Sequence, residues 1–393
     1  MLYRPVITSL LLALFFSLTG CSQAPDSPAF TVSGSQPAYD QSTFAGYIND
    51  TRTWLEANRA FITHNKTLEL DSNSPFELLP ASNTTTTTTK KGILLVHGLG
   101  DSPYSFVDIA PVLAQQGFLV RTILLPGHGS KPADLIQVHM EDWQTTVAHH
   151  TQLLASEVDE LWLGGFSTGA NLITSWALQQ KPGMVQGMLL FSPGYKPKSS
   201  LVALSPALSY FKDWTDIDLT SNYVRYDSLA VNGAGEYYKT SKAVRHDLEH
   251  KPVPFPVLMT ISENDSVIDA HTVLRLFESR FTNTRSQLVW YGSSPETKDT
   301  RVSVFDSSIP ELNISNFSHM NVLFAPANPY YGENGSYRMC DNGQTLQADK
   351  KCPKAKNIWY SAWGYREKGK IHARLTWNPY FSELEKSIKT ITQ

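Results

Sequence analysis

The chain is short of charge, of cysteine and of long apolar runs, and each shortage closes off a class of function. Only 18% of its 393 residues are charged, and they nearly cancel to a net charge of -3. No basic stripe interleaved with aromatics is present, so there is no electrostatic footprint for nucleic acid. Cysteine occurs three times. Cys340 and Cys352 lie in a polar, Lys-rich segment where no histidine has ligand spacing, which speaks against a zinc pair. A Cys340–Cys352 bridge closing a surface loop is expected instead, stabilising by about 2 to 3 kcal/mol. The apolar run from Val6 to Leu18 is too short to span a bilayer comfortably. What remains, 41% hydrophobic residues, is enough to bury a large single core, and α/β folds of this length often stay one domain with insertions.

The stretch from Glu160 to Leu172 reads as a short apolar strand, the turn Gly165-Phe166-Ser167-Thr168-Gly169, and a helix start. A serine exposed on so sharp a strand-to-helix turn sits in strained backbone, and glycines two before and two after leave it room. Upstream, Gly92 to Val96 is a continuous apolar run entering His97-Gly98-Leu99-Gly100, as expected of a buried parallel strand ending in a loop. In acyl transfer an oxyanion is held by two backbone N–H groups, one following the nucleophile and one from such a loop. Thr168 and Leu99 are the candidates.

With this layout an acid and then a histidine follow the serine in chain order. The strand candidate Pro254 to Ile261 leads into Ser262 to Ile268 and places Asp265 at its carboxyl end, where open α/β sheets gather functional groups. Beyond a last strand candidate, Ser286 to Tyr291, comes Ser318-His319. His319 is assigned as general base and acid, and Asp265 as the group that fixes its tautomer. Glu263 and Asp269 compete for the acid's place, and His128 and His271 for the histidine's.

Several blocks in one order, Lys91 to Pro103, Gly117-Phe118, Leu125 to Gly129, Asp142-Trp143, Gly165 to Gly169 and Ser192-Pro193, resemble the α/β-hydrolase superfamily in its carboxylesterase and monoacylglycerol-lipase branch. The resemblance resumes at Pro256 to Ile268 and Ser318-His319. It implies an α/β-hydrolase fold, a mostly parallel central sheet flanked by helices with a cap insertion. It also implies hydrolysis of small-molecule acyl esters or lipids through an acyl-enzyme, with no metal and no cofactor. Thioesterase, lysophospholipase, acyltransferase or peptidase chemistry would use the same residues, and a non-catalytic binding lipoprotein on this scaffold is the reading from another class. One departure stands out. Compact members place the histidine soon after the last strand, whereas here Gly292 to Ser318 intervenes, with 301–305 and 311–315 able to pair as extra strands.

The amino terminus, with Arg4, the apolar run and Leu18-Thr19-Gly20-Cys21, resembles a bacterial lipoprotein signal. That resemblance implies a signal peptide over 1–20, lipidation at Cys21, membrane attachment through the lipid, and an envelope location, with Ser22 favouring the outer membrane. Residues 21–41, rich in Ser, Pro, Ala and Gly, read as a flexible tether, and 42–393 as the hydrolase domain. The threonine run 84–89 reads as a solvent loop. A cap is expected at about 196–252, whose Tyr210, Phe211, Trp214, Tyr223, Tyr226, Tyr237 and Tyr238 either line an acyl pocket or hold the cap down. A C-terminal extension occupies 328–393, ending in a helix over 378–392, and its stretch 328–377 carries no functional signal.

Overall fold

A computed structural model describes residues 24–81, 89–218 and 220–393. The expected signal segment, Cys21 and most of the threonine run lie outside the described residues. Among those described, no helix is long and apolar enough to cross a membrane.

The core is one eight-stranded sheet. Its strands are β1 (Glu77–Leu78), β2 (Lys91–Val96), β3 (Phe118–Ile123), β4 (Glu160–Phe166), β5 (Gly187–Phe191), β6 (Val257–Ser262), β7 (Gln287–Tyr291) and β8 (Val302–Phe305). They lie in the order β1-β3-β2-β4-β5-β6-β7-β8, and only the β1–β3 pair is antiparallel. The longer helices are α1 (Phe44–Asn58), α2 (Lys66–Asn73), α3 (Ile109–Gln115), α4 (Met140–Ala155), α5 (Thr168–Gln179), α6 (Val231–His250), α7 (Ala270–Arg280) and α8 (Phe381–Thr392).

Because side chains alternate across a strand, each apolar run feeds two cores. Leu94, Val96, Leu161, Leu163, Met188, Leu190, Leu288 and Trp290 face one layer, with α1, α4, α5, α6 and α7. Ile93, Leu95, Trp162, Leu189, Phe191, Val289 and Tyr291 face the other, with α3 and α8. This two-sided burial explains why the strands read as unbroken hydrophobic runs. The chain leaves β2 for β3 on one side and returns to β4 on the other. The carboxyl ends of β2 and β4 therefore lie side by side, Val96 opposite Gly165, at the point where the strand order reverses. Ligands of open α/β sheets bind in such crevices.

Four expectations are corrected or sharpened. The tether is not loose over its described part. Ser33 donates from both its backbone N–H and its Oγ to Asp134, Gln36 Oε1 accepts from the Gly127 amide, and Phe30 packs edge-on against Trp214. Of the two extra strand candidates, 302–305 joins the sheet edge as β8, while 310–312 is a single helical turn and Ile314 makes only isolated bridges. The second half of the expected cap is the core helix α6, with Val244 and Leu248 fully buried. Finally, the cysteines do form a disulfide that closes a largely exposed loop, with Cys352 itself buried against Ile358 and Ala373 in a small cluster of the tail. Around it the tail builds a parallel pair, β9 (Ile358–Ser361) and β10 (Ile371–Arg374).

Candidate active site

Ser167 stands between the end of β4 and the start of α5 with φ 52° and ψ -113°, a conformation that L-residues avoid unless the surroundings impose it. They do so here. Its N–H donates to Phe191 O at 3.0 Å, and its carbonyl accepts from Gly194 N at 3.1 Å. The flanking glycines are obligatory on steric grounds. A Cβ on Gly165 would sit 2.6 Å from Ala170 N, and one on Gly169 would sit 2.0 Å from Val96 O.

His319 Nε2 lies 2.9 Å from Ser167 Oγ, and its Nδ1 lies 2.6 Å from Asp265 Oδ2. Asp265 is fully buried, and its other oxygen accepts from Val267 N at 2.7 Å and Ile268 N at 3.0 Å. The carboxylate thus has no freedom to turn. It fixes the imidazole with the proton on Nδ1 and the lone pair of Nε2 toward the serine hydroxyl. The long segment before His319 is tied down at its end, since Ser192 Oγ donates to His319 O at 2.9 Å and Ser318 Oγ to Leu375 O at 2.6 Å.

The competing residues are spent elsewhere. Glu263 accepts from Ser293 N and Oγ, and Asp269 caps α7 by accepting from Thr272 N at 3.0 Å. His271 is exposed on α7 against Trp290. His128 is buried in a stack on Tyr226, and burial pushes its pKa down to about 4. His97, held well below the ordinary histidine range by burial and by His128, accepts from Leu125 N at 3.0 Å and donates from Nδ1 to Gly98 O at 2.8 Å. This neutral ring pins the loop that carries Leu99 to the end of β3. Among the described residues, neither the Leu99 nor the Thr168 backbone N–H is spent on a hydrogen bond, and both residues share a cavity wall with Ser167 and His319.

Comparison with known proteins finds one matching family and several similar chains. The family described as serine aminopeptidase, S33, matches residues 87–216. A thermostable monoacylglycerol lipase of Bacillus sp. (strain H-257) is 31% identical over 81 residues, 21% of this chain and 32% of that relative. Among solved structures, a metagenome-derived lipolytic enzyme aligns at 22% identity and TM-score 0.47, covering 56% of this chain and 86% of its own. A monoacylglycerol lipase of Paleococcus ferrophilus aligns at 18% identity and TM-score 0.45, covering 56% and 88%. With the sheet order, the serine turn after β4, the acid after β6 and the family match in hand, the architecture is settled. The fold is that of an α/β-hydrolase.

Within this α/β-hydrolase fold the cavity at Ser167 is walled by residues the sequence did not single out. The cap contributes Arg225 and Leu229, the loop after β2 adds Asp101, Met320 follows the histidine, and Arg374 comes from the end of β10. Asp101 sits inside the Gly98 to Pro103 block, which was a usable signal. Arg225 and Arg374 belong to no motif. Of the aromatics expected in the cap, Tyr237, on α6, lines the cavity, with its OH buried and without a partner. Trp214 and Tyr226 hold the cap to the body, whereas Tyr210 and Phe211 are 86% and 88% exposed. Among the described residues, His246, Glu249 and His250 bring possible metal donors together on the exposed end of α6, outside this wall.

Proposed function

We propose that the protein is a serine hydrolase that cleaves carboxylic acyl esters through an acyl-enzyme. The observation that carries this is the unbroken chain from Asp265 through His319 to Ser167, at 2.6 and 2.9 Å, on a strained turn beside two unspent amides. Ser167 Oγ attacks the acyl carbon while His319 Nε2 takes its proton, and Asp265 stabilises the imidazolium. The oxyanion settles on the Leu99 and Thr168 amides, where preorganised donors favour the tetrahedral state over the flat carbonyl. His319 then gives the proton to the departing alcohol. Water repeats the sequence in reverse and frees the acid. Support for esters comes from the similarity to one monoacylglycerol lipase, a match that covers only a third of that relative.

The test is turnover of p-nitrophenyl esters from acetate to palmitate by the wild type and by Ser167→Ala. Turnover that falls at least ~10³-fold in the variant is expected, the scale of losing a triad member. Equal rates in both proteins would sink the proposal. Parallel assays with thioesters, lysophospholipids and peptides rank the neighbouring chemistries.

The location is proposed from the sequence. Cys21 carries the lipid and holds the enzyme at the cell envelope, on the outer membrane. A disulfide fits an oxidising compartment. A Cys21→Ser form that stays membrane-bound with unchanged mass would contradict this.

A further inference from the structure

We propose that Arg225 and Arg374 form an anion subsite, so that the ester cleaved at Ser167 carries a carboxylate or phosphate group beside its scissile bond. This rests on the hydrolase reading and deepens it. Both side chains line the cavity that holds Ser167 and His319, one delivered by the cap and the other by β10.

Elsewhere the fold satisfies its buried arginines with carboxylates. Arg59 meets Glu69 at 2.8 Å, and Arg121 meets Glu77 and Glu157, each at 2.6 Å. At the cavity the match is looser, one carboxylate near two arginines. Arg225 Nε lies 3.4 Å from Asp101 Oδ1 but out of hydrogen-bond alignment, leaving a buried donor without an acceptor. Its Nη1 faces the thioether sulfur of Met320 at 3.7 Å, a weak acceptor. Arg374 donates to Asp341 O at 3.0 Å and to Asn342 Oδ1 at 3.4 Å, both uncharged groups, and among the described residues it has no ion pair within 4.0 Å.

The nearby acids do not cancel the pair. Asp101 is the one acid in the cavity wall, so a single carboxylate stands against two guanidiniums, and Asp227 is occupied by the amides of Ser221 and Asn222. Asp218 and Asp341 act on Arg374 but do not line the cavity. Burial and the charge of Arg225 push the Arg374 guanidinium down to about 10. Two half-buried cations held together with donors to spare are unfavourable until an anion bridges them, and guanidinium forks fit carboxylate or phosphate oxygens.

The test compares three esters: glycerol 1-butyrate, which is neutral; 1-butyroylglycerol 3-phosphate, anionic on the alcohol side; and ethyl hydrogen succinate, anionic on the acyl side. In the wild type at low salt, one of the anionic esters is expected to exceed the neutral one in kcat/KM by at least ~10-fold, and which one does so tells the two sources apart. Arg225→Gln and Arg374→Gln each bring that ratio down toward one, whereas Arg374→Lys keeps part of it. Inorganic phosphate competes with glycerol 1-butyrate in the unmutated enzyme. A wild type with no preference for either anionic ester, or a preference unchanged in both Gln variants, overturns the subsite. If no ester is cleaved at all, the hydrolase reading fails separately. The subsite is then read by calorimetry of phosphate and succinate on the wild type, where absence of binding overturns it and binding weakened at least ~10-fold by Arg225→Gln upholds it.

Discussion

His150 lies on α4 with no exposed surface, packed between Phe44 and Tyr47, and neither ring nitrogen has a hydrogen-bond partner. Burial, helped by the charges of His149 and Arg121, pushes its pKa down to about 3. The sign of the linkage follows. Below pH ~6.5 the unfolded chain takes up a proton at this position that the folded chain refuses. Stability is therefore lost as pH falls from about 6.5 toward about 3, and no further below that. At pH 4.5 the deficit from this one residue works out at about 2.5 kcal/mol. His150→Leu removes the titrating group without breaking any hydrogen bond. Urea unfolding of both proteins at pH 7.5 and 4.5 gives four free energies, and the change with pH is expected to be about 2.5 kcal/mol smaller in the variant. Any altered packing cancels in that double difference. Equal pH dependence in the two proteins would refute the argument, because it would mean that the folded ring titrates like an exposed one.

Asp265→Asn is expected to lower kcat/KM by ~10³ to 10⁴ while leaving the fold intact, whereas Glu263→Gln and Asp269→Asn change ester turnover little. A large loss in either control would move the acid's role. Gly169→Ala drives a Cβ to 2.0 Å from Val96 O, so it should cost about 1 to 3 kcal/mol in thermal stability and most of the activity, and an unaltered Tm would count against the steric account. Replacing Cys340 and Cys352 by serine opens a loop of sequence separation 12 and is expected to cost about 3 kcal/mol, read as a drop in the urea midpoint.

The central sheet was legible because its strands are buried on both faces and so appear as unbroken apolar runs. The elbow was legible because only glycine fits at positions 165 and 169, and Asp265 because it follows β6 at its carboxyl end, whereas His319 follows no strand directly and is legible only from its order in the chain. The cap's extent was not. Helix α6 buries Gly233, Gly235, Glu236, Thr240 and Ser241, so polar and glycine residues face the body and mask its helical pattern. Glu236 accepts from Met140 N, and Ser241 donates to Tyr195 O, partners with no local trace in the sequence. The docking of residues 24–41 depends likewise on Asp134, about a hundred positions away. Arg225 and Arg374 meet at the cavity only after the cap and the tail have folded over the sheet, and nothing near either residue announces it.

The most direct measurement is covalent labelling with a fluorophosphonate followed by peptide mass mapping. The wild type is expected to take one label per chain on Ser167, and His319→Ala to react at least ~10³-fold more slowly because the hydroxyl loses its proton acceptor. A wild type that stays unlabelled, or one labelled on another residue, would contradict the assignment of Ser167 as an activated nucleophile.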